Sequence, residues 1–527
     1  MARRHAGPDH PAGRPRRGRV PQDRGHSASA VKRSHARALA AAAALAILLY
    51  LLPISCRGLI GPDEPRYASI SREMAESGDW VTPRLWGEAW FEKPAMLFWM
   101  GGLGYAAGLE SYTRVPVALL SLGFLAFFFW RVRAHFGGET AVAATCLLAT
   151  SAGWIAYSDA GVFDAPLTAF TSAALLCLLP WASSHDRSRP AEMAAFGALL
   201  GFGVLSKGLV ALVVAVAAAV PVLVRRPRAL LDLLRPAPLG AFCLACLPWY
   251  IACYWANGQV FIDEFIVRHH FERFFSSSLQ HVQPWWFYLP VLALFLLPWT
   301  PLALSLRWET VAAGTSRRFL ACWALGPLLL FSVAVNKLPG YILPSLPPLA
   351  ILLAIQWKAK ASRPLLIASG ATLLLVPLAG TLLPGALADG IRRAWAGLDS
   401  ASILAGAAAG IAALAVASIM ALKTSRERSI PAVCAIAALT LAALKFQAFP
   451  AISLQAGTQE FVASERTRLA KACIGDIRRH AAYGIWHYSG YSVPDCEQVP
   501  AAFRIEGDPP VIVPNQAADA APRSSSE

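Results

Sequence analysis

The sequence predicts an all-α polytopic integral membrane protein, and three observations carry that prediction. Hydrophobic residues make up 56% of the 527 and charged residues only 15%, against roughly 25% charged in an ordinary soluble domain. Mean hydropathy is +0.47, more apolar surface than a soluble chain of this length can hide. The apolar residues also fall in long runs, separated by short connections that are alternately basic and mixed in charge.

The first 37 residues are rich in Pro, Gly and Arg and cannot bury enough apolar surface to fold. They read as a disordered basic cytoplasmic tail. The run at 39–55 is the first of about thirteen that approach the roughly 17–20 residues a span requires. The others lie near 115–130, 140–157, 165–181, 193–206, 209–224, 237–255, 285–303, 319–335, 341–356, 364–383, 402–422 and 430–449. The stretch 94–109, PAMLFWMGGLGYAAGL, is apolar as well. If it does not span, the basic connections at 131–135, 183–189, 225–228, 317–318, 358–363 and 423–428 all fall on the side of the N-terminal tail. The positive-inside rule therefore makes 94–109 a helix lying in the outer interface. The same bias accounts for the net charge of +15 without nucleic acid, and the 17 Trp suit rings at the two membrane interfaces. The expected organisation is a tail (1–37), a transmembrane domain (38–449) with its first outer loop at 56–114, and a small outer C-terminal region (450–527).

Of the ten cysteines, Cys243, Cys246 and Cys253 share one apolar run without His or carboxylate neighbours and read as small buried hydrophobes. Cys473 and Cys496 lie in the polar C-terminal region. They can form a disulfide if that region faces an oxidising compartment.

The unusual charges collect on the outer side. The first loop reads GPDEPRYASISREMAESGDWVTPRLWGEAWFEKPAMLFW and carries Asp63, Glu64, Arg66, Tyr67, Glu92 and Lys93. Pro65 and the spacing of Ile70 and Met74 predict an amphipathic helix there. Charges this near hydrocarbon cost a few kcal/mol each unless paired or wetted, so a water-filled cavity is expected. Asp159 and Asp164 flank the second loop. Asp164 also fits a helix N-cap, with Pro166 in the first turn. Lys207 interrupts GVLSKGLV, Lys337 and Tyr341 lie in NKLPGYILPSL, and RHHFERF contains His270 and Arg273. Arg favours bidentate phosphate or carboxylate partners. Sugar transfer from a lipid phosphate uses such a set. Its leaving group is already anionic, so it requires cations whose hold strengthens as charge develops, here Arg66, Lys93, Lys207 and Arg273. It also requires a carboxylate to take the acceptor's proton, here Asp63. Nucleotide sugars are normally confined to the cytoplasm, so an outward site points to a lipid-linked donor.

The loop DEPRYASISREMAESGDWVTPRLWGEAWFEKP, followed in order by FDAPLTAF, LSKG, HHFERF with QPWWFYLPVL, and NKLPGYILPSLPPLA, resembles the ArnT-like glycosyltransferases, a GT-C branch related to protein O-mannosyltransferases. The resemblance covers residues 40–360. It implies a GT-C fold with about thirteen spans and an inverting transfer from an undecaprenyl-phosphate-linked sugar to a lipid or glycan acceptor, lipid A-like, at the periplasmic face of a bacterial inner membrane. It implies Asp63, Asp164 and Glu64 as the acidic catalytic group. Arg66, Lys93, Lys207 and Arg273 would line the phosphate site, and Tyr67, Lys337 and Tyr341 the substrate cavity. Glu92 and His270 match two positions that can hold zinc in relatives, while a third histidine expected on a late span is absent. Protein O-mannosyl transfer is the alternative activity. A transporter or flippase is the alternative of another class, but such proteins place ionisable groups near the midplane and show internal repeats; here the charges lie at run ends.

Overall fold

The computed structural model describes residues 40–183, 189–265, 268, 282–372, 400–499 and 501–515. The chain separates into two units, Met1–Ala46 and Ile47–Glu527. Of the first, residues 40–46 are described and are helical. The second holds the membrane helices and the charged loops.

Each expected apolar run falls at least partly on helix, though not every one is a single unbroken helix. Among the described residues four helices are long and apolar enough to cross a membrane: Arg114–Phe136, Pro236–Asn257, Pro339–Ala359 and Arg426–Phe446. A fifth qualifies if Gly138–Ala149 and Ala152–Ser158, bent by 64° at their junction, count as one span. The run at 285–303 divides into Tyr288–Phe295 and Thr300–Ala303 around Pro298, which has no N–H to continue the hydrogen-bond ladder.

Helix α1 (Asp63–Ser77) forms where expected in the first loop. Asp63 and Glu64 occupy its first turn, favourable to the positive end of the helix dipole. Gly78, at φ 71°, closes it in the left-handed conformation. The helix is buried on all sides from Glu64 to Ser71, and Tyr67, Ile70 and Met74 enter an apolar core. A short hairpin, β1 (Arg84–Leu85) with β2 (Glu88–Ala89), comes next. Helix α2 (Met96–Ala106) has 11 residues, about 16 Å and half the hydrocarbon thickness, so the stretch 94–109 is too short to span. It lies directly on α1, and a Cβ at Gly101 would come within 2.5 Å of Ser71 Oγ.

Helix α3 (Arg114–Phe136) leaves the loop, and two further charges of the expected set sit at helix ends. Asp164 opens α4 (Asp164–Cys177) and Lys207 closes α5 (Pro190–Lys207). On α6 (Pro236–Asn257), Cys246, Trp249 and Cys253 form one buried stripe. The last long helix, α7 (Arg426–Ala456), continues past residue 450, where the outer region was expected to begin.

Beyond α7 the all-α expectation is corrected. Strand β3 (Ala472–Ile474) pairs parallel with β4 (Phe503–Glu506), which pairs antiparallel with β5 (Val511–Pro514). Helix α8 (Arg479–Ser489) packs beside this sheet on a core of Val462, Leu469, Ile474, Ile485, Val493 and Ile505. These strands are only three or four residues long, too short for their alternation to show in the sequence. Cys473 and Cys496 are joined by a disulfide.

Candidate active site

Two groups of charges are linked through one aromatic contact. The first is a chain of alternating sign from the first loop. Arg66, buried, donates to Asp63 Oδ1 at 2.6 Å and to the Tyr67 hydroxyl at 3.2 Å. Its other terminal nitrogen lies 3.2 Å from Glu92, and Glu92 is 3.2 Å from Lys93 Nζ. The Arg66 guanidinium sits 5.0 to 5.6 Å from the rings of Tyr67, Trp90 and Tyr483. This aromatic box fixes a planar cation and offers a sugar apolar faces. Asp63 keeps 44% of its side chain exposed, against 6% for Arg66 and 11% for Glu92. It is the carboxylate of the chain most open to an incoming hydroxyl.

The second group joins three distant segments. Lys207 Nζ donates to Asp164 Oδ1 at 2.6 Å and lies 4.6 Å over the Tyr341 ring. Gly340 makes this possible, since a Cβ there would stand 2.4 Å from Asp164 Oδ1. The two groups share the contact between Tyr67 and Phe163, the residue before Asp164, whose rings are edge to face at 4.9 Å. Asp63, Asp164, Arg66, Lys93, Lys207, Tyr67 and Tyr341 thus belong to one region of the fold. Lys337, at the same outer turn, is buried and donates to the backbone carbonyls of Gln283, at 2.9 Å, and Ala334. Burial lowers its pKa.

Glu64 points elsewhere. Arg114 grips it with two prongs, Nε to Oε1 at 2.8 Å and Nη2 to Oε2 at 2.5 Å. The amides of Gly161 and Ile60 complete its shell at 3.0 and 3.1 Å. Burial alone would raise this carboxyl; Arg114 and Arg57 outweigh it and hold the pKa at about 2. A carboxylate so held is a poor proton acceptor near neutral pH, and its place is structural.

Arg273 and His270, together with the rest of 269–281, lie outside the described residues. Glu92 already faces Arg66 and Lys93, two cations where a metal would add a third. Among the described residues no group of three or more His, Cys, Asp or Glu can hold a metal ion. With His270 outside the described residues, no step is assigned to zinc.

Several members of this region were missed in the sequence. Trp90 and Tyr483 had no charge to mark them, and Tyr483 comes from α8 in the C-terminal region. Arg114 resembled an interfacial residue at the start of a span. Lys445, alone in the apolar run 430–449, was the legible signal, because an isolated lysine in such a run implies a partner.

The chain matches the crystal structure of ArnT from Cupriavidus metallidurans bound to undecaprenyl phosphate with a TM-score of 0.73 and 23% identity, over 88% of this chain and 92% of that one. The apo form of that protein matches equally, with a TM-score of 0.73 and 22% identity. In sequence the chain is similar to the undecaprenyl phosphate-alpha-4-amino-4-deoxy-L-arabinose arabinosyl transferase of Erwinia tasmaniensis. The two are 36% identical over 323 residues, 58% of this chain and 57% of the relative. It is 34% identical over 322 residues to the Yersinia pestis protein of the same name, with the same coverage. The match therefore spans somewhat over half the length of these relatives. The dolichyl-phosphate-mannose-protein mannosyltransferase family matches residues 35–262. Fold and sequence together bear out the ArnT-like resemblance.

Proposed function

We propose that this protein transfers a sugar from an undecaprenyl-phosphate carrier to a lipid acceptor, by inversion, at the periplasmic face of the bacterial inner membrane. The observation that carries the reading is the half-exposed Asp63 beside buried Arg66, joined through the Tyr67–Phe163 ring contact to the Asp164–Lys207 pair. The names of the similar proteins point to the same donor class. The Cys473–Cys496 disulfide supports an outward C-terminal region, since such bonds persist in the periplasm.

In this scheme the acceptor hydroxyl attacks the anomeric carbon from the Asp63 side, and Asp63 takes its proton. The bond from that carbon to the phosphate oxygen breaks, and the electron pair leaves with undecaprenyl phosphate. That phosphate gains one negative charge, which Lys207 and Lys93 stabilise more strongly than they do the donor. Arg66 orients Asp63 and Asp164 orients Lys207. Tyr67, Tyr341 and Trp90 pack the sugar, Lys337 braces the outer turn, and Arg273 is the remaining candidate for the phosphate. About thirteen spans, the tail 1–37, the catalytic domain 38–449 and the periplasmic region 450–527 complete the arrangement.

Mass spectrometry of envelope lipids from cells with and without the gene tests the reaction, the expected difference being one pentose or hexose on a glycolipid. A hexose on serine or threonine of a secreted protein would instead select the mannosyl-transfer reading that the family match favours. Asp63→Asn should behave like the deletion and lose about 10²–10⁴-fold in kcat while still inserting. Full activity in that variant would remove Asp63 from the mechanism.

A further inference from the structure

Beside the candidate site lies a second, buried set of charges that the scheme above does not use. Lys445 on α7 approaches Asp159 Oδ2 at 2.5 Å and also donates to the Leu49 carbonyl at 2.8 Å. Arg57 lies 3.8 Å from Asp159 and 3.6 Å from Glu64. Arg114 completes the set, gripping Glu64 while its Nη1 and Nη2 donate to the carbonyls of Arg57 and Gly58 at 2.7 and 2.8 Å. All of these groups are at least nine-tenths buried except Arg57, which is 11% exposed. Three cations thus face two carboxylates away from water, an arrangement that is weak as a source of stability and calls for another role.

The connections define that role. The two oxygens of Glu64 take the amide of Ile60, just before the helix that opens with Asp63, and the amide of Gly161, in the loop that leads to Asp164. One carboxylate therefore spans the two segments that bear Asp63 and Asp164. Asp159 lies in the second of these segments, and Lys445 anchors it to α7, the last long helix. Phe449, one turn further along α7, lies 4.8 Å from the Arg57 guanidinium and 5.4 Å from Lys445 Nζ, closing the set from the same helix.

We propose that the Lys445–Asp159 pair is a positioning device. Through Arg57 and Glu64 it locks the loop before Asp164 to the N-terminus of α1, and so sets the distance between Asp63 and Asp164 during transfer. Lys445 and Asp159 touch neither substrate. This inference rests on the reading of Asp63 as the reacting carboxylate and of Asp164 as the group that orients Lys207, and the test separates the two.

The full-length protein in lipid nanodiscs is assayed with undecaprenyl-phosphate-linked 4-amino-4-deoxy-L-arabinose as donor and lipid A as acceptor. Binding of undecaprenyl phosphate alone and thermal unfolding are measured on the same samples. Lys445→Met should lower kcat about 10- to 100-fold, the scale of an ångström-sized misplacement. Donor KM and undecaprenyl phosphate affinity should stay within about twofold of wild type. Lys445→Arg should recover most of the rate. The pair Asp159→Asn with Lys445→Met, which buries no lone charge, should regain thermal stability yet remain slow. A wild-type kcat in Lys445→Met or in the double variant overturns the proposal, as does a loss confined to KM or to unfolding temperature. Asp63→Asn runs alongside. If it is inactive while Lys445→Met is normal, only the positioning role falls; if Asp63→Asn is fully active, the underlying reading falls and takes this inference with it.

Discussion

Replacing Arg114 by methionine keeps an unbranched apolar stem and removes the guanidinium with its charge. In the native protein Arg114 holds Glu64 at a pKa of about 2, against the ordinary 4.5. At about 1.4 kcal/mol per pH unit, the ionised Glu64 contributes about 3 kcal/mol at neutral pH relative to its unfolded state. Without Arg114 the remaining cation is Arg57, at 3.6 Å, and burial pushes the carboxyl upward. The carbonyls of Arg57 and Gly58 also lose their donors, at about 1–3 kcal/mol for each buried group left unsatisfied. The expected loss is about 3–5 kcal/mol, the range for breaking a buried pair on one side. Thermal unfolding of detergent-solubilised protein should show a drop of several degrees. The sign with pH is fixed. The native contribution of Glu64 is present above about pH 4.5 and is lost as pH falls through about 2, so the gap between variant and native protein narrows on acidification. Adding Glu64→Gln to Arg114→Met removes the stranded charge and should recover more than half of the loss. An unchanged unfolding temperature in Arg114→Met would refute the reasoning, and so would a double variant no more stable than the single one.

Two further outcomes are expected from the geometry. Lys207→Gln should lower kcat/KM about 10²–10³-fold by removing a cation aimed at the leaving phosphate, with Lys207→Arg retaining part of the rate; steady-state kinetics with both variants decides it. His487 is buried on α8, 3.0 Å from Ser69 Oγ on α1, and burial first, then Arg72, lowers its pKa to about 3. The unfolded chain therefore takes up a proton that the native one refuses, and stability should fall by up to about 1.4 kcal/mol per pH unit as pH drops from about 6.5 towards 3. Unfolding temperatures of His487→Gln against native protein across that range should show a flatter dependence in the variant.

The joining of α8 to α1 shows why part of the site was illegible. Tyr483 lies within 5.6 Å of the Arg66 guanidinium, and the Tyr488 hydroxyl accepts from the Leu59 amide at 2.7 Å. Both residues belong to a polar tail whose periodicity records only its own small core. A tyrosine there carries no mark of what it packs against. Glu64 shows the opposite error. Adjacent in sequence to Asp63, it reads as a second reactive acid, yet successive helical positions diverge by about 100°. One carboxylate therefore faces open space and the other is enclosed by Arg114.

From the sequence alone came the membrane class, the helical runs, the short helix at 94–109 and the identity of most charged groups near the site. These are local properties: apolar length, charge bias at run ends and the rarity of ions beside hydrocarbon can be read residue by residue. Only the tertiary structure decided which charges pair. It put Asp164 on Lys207, Glu64 on Arg114 and Asp159 on Lys445, and it turned the C-terminal sheet and α8 against the first loop. Pairing depends on which helix ends come together across hundreds of residues, and a linear pattern does not encode that geometry, because an ion pair made through space leaves no period along the chain.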